Sequence, residues 1–292
     1  MMNKWPSLAA VLVVVLIAAL IATLAGQNLS LALGVNSLLL LAGWIFLIQW
    51  LGFLHAWFTQ TERYYDLLGS LTYISATVLA LGFAESLDVR RIILAAVVLA
   101  WAGRLGMFLF KRIVAAGKDS RFDDIKPYWY RFLMAWTLQG LWVFLTLSGV
   151  LICLLAKTSL AIGYLGVLGL LVWLAGFVIE VFADAQKQEF RKNPANRQQF
   201  IHSGLWAWSR HPNYFGEIVM WLGVALMALP VFAGWQYLGL VSPLFVYLVL
   251  TKISGIPMLE KSAESRWGDD PAYQAYVRDT PVLWPKAPRS SQ

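Results

Sequence analysis

Residues 160–183 read LAIGYLGVLGLLVWLAGFVIEVFA and run straight into Asp184-Ala-Gln-Lys187-Gln-Glu189-Phe-Arg191-Lys192. An apolar run of this length crosses the roughly 30 Å hydrocarbon core of a bilayer as an α-helix. Its last turns carry two carboxylates, Glu180 and Asp184, where an ionised group is costly unless paired. The stretch predicts a membrane helix with polar chemistry gathered at one end.

The rest of the chain repeats that pattern. Of 292 residues, 59% are apolar and 13% charged, about half the charge of an average soluble domain. Mean hydropathy is +0.63. Apolar runs at 9–25, 33–57, 67–84, 92–110, 132–155, 160–183, 214–229 and 235–253 predict an all-α polytopic bundle of seven to eight transmembrane helices. The last two runs are separated by Pro230 and Gly234, so they form either a tight hairpin or one long kinked helix. Charge favours eight spans. On that count every Lys and Arg except Arg90, Arg91, Arg104 and Lys157 falls on the side of the termini. The positive-inside rule then puts both termini in the cytoplasm. The first span lacks a convincing cleavage site and is expected to be retained.

The net charge of +7 reads as orientation and attraction to anionic lipid. No isolated basic domain or reading motif points to nucleic acid. The one cysteine, Cys153, lies inside an apolar run and predicts neither a disulfide nor a thiol nucleophile. Without repeats or long linkers, residues 1–292 read as one transmembrane domain. Its N-terminal spans occupy 1–58, substrate-side spans 59–183, and a cofactor-binding half 184–292.

Polar residues concentrate in two places. Glu180, Asp184 and Gln188 share one helix stripe, and Lys187 and Arg191 lie on the next. Arg191, Lys192, Asn193 and Arg197 follow, then residues 204–217, GLWAWSRHPNYFGE, which hold Trp206, Arg210, His211, Asn213, Tyr214 and Glu217. Pro212 suits the first turn of a helix, whose free N–H groups attract anions. Arginine for phosphate, carboxylate for hydroxyls and rings for stacking make the inventory of a nucleotide-sized cofactor. No Rossmann or P-loop motif is present, and His202 and His211 lack a metal-ligand spacing. The second cluster is Gln60-Thr61-Glu62-Arg63-Tyr64-Tyr65-Asp66, with Tyr73 on the following helix. Asp66 reads as a helix cap, and a Glu–Tyr pair there suits general acid work. His55, near the end of an apolar run, reads as an interfacial or core histidine. Arg104, in mid-span, must face a carboxylate or a cofactor phosphate. Trp267, Tyr273 and Tyr276 predict a short helix in the tail, packed under the membrane domain.

Arg210-His-Pro-Asn-Tyr-Phe-Gly-Glu217, with Glu260 or Glu264, Trp267-Gly268, Tyr273-x-x-Tyr276 and Pro281-x-x-x-Pro285, resembles the C-terminal half of the steroid 5α-reductase family, and most closely its bacterial branch. More distantly it is similar to sterol C14 reductases and isoprenylcysteine methyltransferases. The resemblance implies a multi-span enzyme of a bacterial inner membrane, embedded in lipid as a monomer, that uses NADPH to reduce the conjugated double bond of a 3-oxo-Δ4-steroid or similar lipophilic enone. Asp184, Arg191, Asn213 and Glu217 match its NADPH-binding positions. Arg104, Asn193, Arg197, Trp206, Arg210, His211, Tyr214, Glu260, Tyr273 and Tyr276 complete the expected cofactor set. Trp57-Phe-Thr-Gln60-Thr-Glu62 resembles the family's Trp-Phe-x-Gln-Glu, which addresses the 3-oxo group, with Thr61 inserted. The family's partner tyrosine falls near Trp101 and is unmatched, so Gln60, Glu62, Tyr65 and Tyr73 are the expected catalytic residues. The same motif in membrane methyltransferases binds S-adenosylmethionine, which leaves methyl transfer as the alternative. A lipid-binding or transport protein is the non-enzymatic reading.

Overall fold

The computed structural model describes residues 4–288, the side chains of Ala116 and Ser120 aside. Its helices are α1 (Trp5–Ala25), α2 (Ser37–Thr59), α3 (Tyr65–Phe83), α4 (Val89–Ala116), α5 (Trp129–Leu155), α6 (Gly163–Lys192), α7 (Pro212–Ala228), α8 (Val241–Leu248), α9 (Gly255–Trp267) and α10 (Pro271–Asp279). Among the described residues, 8 helical segments are long and apolar enough to cross a membrane, so the chain is an all-α polytopic bundle. The eighth, Gly234–Trp267, passes through a 3-10 segment, α8, a π-helical turn at Val249–Ile253 and α9.

Several boundaries differ from the apolar runs, for local reasons. Residues 33–36 do not begin a helix. Leu31–Ala32 pairs with Val35–Asn36 as a tiny hairpin, turning through Leu33 and Gly34 at positive φ. Asn36 then caps α2, its Oδ1 accepting from the Leu38 amide at 2.9 Å. Asp66 is not a cap: it sits in the first turn of α3 and pairs with Arg112 and Arg121 at 3.5 and 3.4 Å. Helical geometry stops after Ala228 and Leu229–Val231, with Phe232 and Ala233 extended, so 212–253 is two segments and not one kinked helix. The tail forms two helices. Asp270 and Pro271 open the second, and Asp270 Oδ1 accepts from the Ala272 amide at 2.8 Å.

The chain packs as two units: Met1–Gly166 with Ala225–Ser242, and Val167–Val224 with Pro243–Gln292. In the first, α5 is the centre, with α1, α2, α3 and the 234–240 segment packed around it. In lipid both faces of a helix are apolar, so the pattern that chooses an inner face is one of size. On α1, Val14, Ala18, Ala22 and Ala25 are buried, while Leu12, Leu16 and Leu20 are exposed. Gly149 lets α5 come so near Gly239 that a β-carbon would lie 3.1 Å from its carbonyl oxygen. Gln49 donates to Thr72 Oγ1 at 2.8 Å, Trp50 to Thr137 at 3.1 Å and Gln139 to the Tyr65 carbonyl at 3.0 Å. Such bonds contribute about 0.6–2 kcal/mol each.

Arg90 and Arg91, two of the few basic residues on the poorer side of the charge count, act as staples. Arg91, with its side chain 1% exposed, pairs with Asp88 at 3.3 Å. It donates to the carbonyls of Cys153, Ala156 and Thr158, so a cation closes the carbonyl end of α5. Arg90 donates to Ala161, Ile162 and Met227.

In the second unit α6 and α7 touch backbone to backbone. A β-carbon on Gly176 would lie 2.5 Å from Gly216 O and Met220 N, and one on Gly216 would lie 2.7 Å from Glu180 N. Two turns on, one on Gly223 would lie 2.5 Å from Trp173 N. Gly216→Val and Gly223→Val are expected to cost about 1–3 kcal/mol or more, because neighbouring backbone cannot yield. Gly43→Ala, with open space around it, should be neutral or slightly stabilising. Arg91→Met is expected to cost about 3–5 kcal/mol by leaving the α5 carbonyls without their donor and Asp88 without its cation. Thermal midpoints of the purified protein in detergent check all of these.

Candidate functional site

The second unit gathers most of the residues expected at the cofactor site. Gly204 adopts φ 61° and opens a 3-10 turn, Gly204–Ala207. A β-carbon there would strike the Gln186 side chain at 2.7 Å, whose Oε1 accepts from the Leu205 amide at 2.9 Å. Trp206 follows, buried, donating Nε1 to the Ala183 carbonyl at 3.0 Å. Its own carbonyl accepts from the Tyr276 hydroxyl at 2.8 Å, and Lys187 Nζ lies 4.3 Å from its ring centroid. One tryptophan thus joins α6, the 204–211 loop and α10.

The end of that loop is fixed by the tail. The Arg210 amide donates to Pro281 O at 2.9 Å and the Lys286 amide to Trp208 O at 3.0 Å. Ser209 Oγ donates to Leu283 O at 2.9 Å, and the His211 amide donates to Ser209 Oγ at 3.1 Å. With the backbone held, Glu260 of α9 bridges two neighbours. Its Oε2 lies 2.8 Å from Arg210 Nη1, and its Oε1 accepts from His211 Nε2 at 2.7 Å. The His211 ring stacks on Tyr214, centroids 5.7 Å apart at 13°. In the first turn of α7, Asn213 Nδ2 donates to Asp184 Oδ1 at 3.3 Å, and Glu180 is buried beside Gly216. Arg210 Nε is a buried donor without a hydrogen-bond partner among the described residues.

Burial is the largest influence on His211 and pushes its imidazole below the usual 6.5; the Glu260 carboxylate opposes this, and the positive charges of Lys187 and Arg210 reinforce it. Near neutral pH the ring is therefore the neutral Nε2–H tautomer, with Nδ1 left as an acceptor. Burial likewise raises the phenols of Tyr273 and Tyr276, which stay protonated donors. Phe200 sits among these rings, 5.1 Å from Tyr273 and 5.4 Å from Tyr276. The structure thus groups Trp206, Arg210, His211, Tyr214, Glu260, Tyr273 and Tyr276, and pairs Asp184 with Asn213. Glu217 lies half-buried on α7, while Arg191, Asn193 and Arg197 lie at the exposed end of α6 and the turn after it. There Asn193 Oδ1 accepts from the Ala195 amide at 3.0 Å.

The remaining candidates belong to the first unit. Gln60 ends α2 in the left-handed region and returns its Nε2 to the Trp57 carbonyl at 2.7 Å. Glu62 is 4% exposed. It pairs with Lys126 and accepts from the Asp119 amide at 3.0 Å. Burial alone would raise its carboxyl, but the bonds from Lys126 and Asp119 outweigh that and hold it below the ordinary range. The Tyr65 hydroxyl donates to the Ala135 carbonyl at 2.9 Å, its ring wedged between Phe122 and Trp136 at 4.8 and 4.9 Å. Tyr73 meets Trp101 edge-on at 5.1 Å, against the position where the resemblance places a tyrosine. Arg104 lies over Phe108 at 5.5 Å. Two participants went unread in the sequence. Lys126 belongs to a basic, aromatic stretch that reads as an interfacial anchor, and Lys187 reads as one of the ion pairs at a helix end. Nothing in local spacing announces that Lys126 will meet Glu62 or Lys187 the ring of Trp206.

Residues 52–280 match the family described as "Protein of unknown function (DUF1295)". The chain is similar to 3-oxo-5-alpha-steroid 4-dehydrogenase 1 of Mus musculus, 34% identical over 82 residues, which is 28% of this chain and 30% of that protein. It is also similar to a probable O-methyltransferase of Ustilaginoidea virens, 28% identical over 158 residues, or 45% of this chain and 52% of that one. The chain thus spans about a third to a half of the length of these curated relatives. No solved structure matches it.

Because folding depresses the His211 pKa, its neutral burial supports the fold fully above about pH 6.5, and that support is lost as pH falls below this through the folded pKa. The thermal midpoint is expected to decline over this window. In His211→Gln, which cannot titrate, that part of the decline should vanish; an unchanged pH profile would contradict the assignment.

Proposed function

We propose that this chain, which belongs to the DUF1295 family, is a membrane oxidoreductase that uses NADPH to reduce the conjugated double bond of a lipophilic enone such as a 3-oxo-Δ4-steroid. The observation that carries this reading is the Arg210–Glu260–His211 cluster, with Arg210 Nε left as a buried donor without a hydrogen-bond partner among the described residues. A guanidinium with a free edge, held by one carboxylate, is suited to accept a further anionic oxygen.

The residue set fits such a cofactor. Arg210, with Arg191 and Arg197, would hold phosphates. Asp184, Asn213 and Glu217 would take ribose hydroxyls or an exocyclic amine, and Trp206 and Tyr214 would offer rings. When bound, NADPH supplies a hydride. The chain's own part is electrostatic and positional. Glu260 fixes the His211 tautomer, His211 braces Tyr214, and the raised phenols of Tyr273 and Tyr276 remain proton donors. Trp206, His211 and Tyr273 are buried, which limits water on their side of the cluster, while Glu260 keeps 29% of its side chain exposed. The similarity to the mouse steroid dehydrogenase supports this reaction class.

A second reading rests on the longer match to the fungal O-methyltransferase, for which S-adenosylmethionine would occupy the same cluster. That cofactor is cationic and has no phosphate for Arg191, Arg197 and Arg210, so the basic residues favour NADPH. Ligand-dependent thermal stability separates the two, since a ligand at about a hundred times its Kd stabilises by about 2.7 kcal/mol. NADPH should raise the midpoint and S-adenosylmethionine should not; the reverse pattern overturns the reductase reading. Arg210→Ala should weaken NADPH binding about tenfold or more, and unchanged affinity in Arg191→Ala would remove Arg191 from the site.

A further inference from the structure

Between α2 and α3, within the first unit, lies a cleft of about 430 Å³, in the size range of small-molecule sites. Gly52 and Trp136 form part of its wall. A β-carbon on Gly52 would lie 2.2 Å from Leu68 and 2.7 Å from the Trp136 ring, so the glycine is what lets these side chains close in. Ile48, Leu51, Leu67, Leu68 and Leu71 line the rest. Leu51 is 56% and Leu71 47% exposed on membrane-spanning helices, so the cleft opens sideways to lipid. One turn beyond Ile48 and Leu71, a hydrogen bond from Trp44 Nε1 to Ser75 Oγ at 3.1 Å ties the two helices together.

The polar groups are confined to the opposite end, where α2 stops and α3 starts. His55, Thr61 and Tyr64 line the cleft there. The His55 and Tyr64 rings are 6.1 Å apart, and Tyr64 stacks on Phe110 of α4 at 6.3 Å and 20°. Gln60 and Glu62 do not line it; their side chains are engaged with Trp57, Asp119 and Lys126. A site with hydrocarbon walls toward the bilayer interior and donors only at the helix ends selects for polarity at one end of its ligand.

We propose that this cleft binds a lipophile of polycyclic or isoprenoid type carrying one carbonyl group, which slips in from the bilayer and sets its oxygen against His55 and Tyr64. The assignment of this ligand as substrate rests on the enone-reductase reading above; its binding does not. The test is retention of tritiated androst-4-en-3-one, whose only polar group is its enone carbonyl, by protein in nanodiscs, without cofactor, with farnesylacetone as competitor. Leu51→Trp and Leu71→Trp fill the cleft from lipid-facing positions and should lower retention about tenfold or more, while Leu54→Trp, exposed but outside the lining, should not. His55→Leu and Tyr64→Phe should weaken androst-4-en-3-one about tenfold, yet leave the carbonyl-free hydrocarbon 5α-androstane, measured by its competition, unaffected. Irradiation of the bound enone should cross-link within residues 48–71. Saturable binding that ignores Leu51→Trp and Leu71→Trp, or cross-links confined to other segments, overturns the proposal. So does the absence of saturable retention, which would mean that acyl chains alone fill the cleft. Binding at the cleft without NADPH-dependent reduction would sink the reductase reading and leave the cleft standing.

Discussion

Gly176 and Gly216 have no room for a β-carbon because each faces the other helix's backbone, and Gly223 repeats the contact two turns away against Trp173. Helices that meet this closely can neither slide nor rotate without collision, so the register of α6 on α7 is fixed. That register sets Asp184 opposite Asn213 and seats Glu180 beside Gly216. The glycine in the Arg-His-Pro-Asn-Tyr-Phe-Gly-Glu stretch is therefore a packing residue that aims the polar ones around it. Lipid offers no hydrophobic reward for helix association, which leaves close packing and polar contacts to specify the arrangement.

Glu260 is the second fixed point of the candidate site. A single carboxylate holds both Arg210 and His211, while Arg210 Nε stays a buried donor without a hydrogen-bond partner among the described residues. The same division of labour appears in the first unit with the opposite outcome. Glu62 is buried and served by an ammonium and an amide, and it ties the segment before α5 to the start of α3.

Much of the fold was legible in the sequence because the bilayer imposes a length, and eight apolar runs met it. The residues converging on 204–217 were legible too, since charge beside a membrane helix is costly and stands out. Partnership was not. The pairing of Glu62 with Lys126, the carbonyls taken by Arg90 and Arg91, and the stacking of Lys187 on Trp206 depend on approaches that only tertiary packing sets. Asp66 reads as a cap from its position, yet it answers to Arg112 and Arg121 from other segments. The tail was legible as helical, but the break at Gly268–Asp270 was hidden by an unbroken aromatic spacing.

The hydrogen bonds from Arg210 and Ser209 to the segment 281–283 and from Lys286 to Trp208 bear on how the protein is made. The arginine-histidine loop is translated some seventy residues before the segment that pins it. All the spans can be threaded into the bilayer while that loop still lacks its brace, so insertion and completion of the site are separate events in time. A ribosome that stops short of Pro281 would release a chain already at home in the membrane, whose loop has lost its brace.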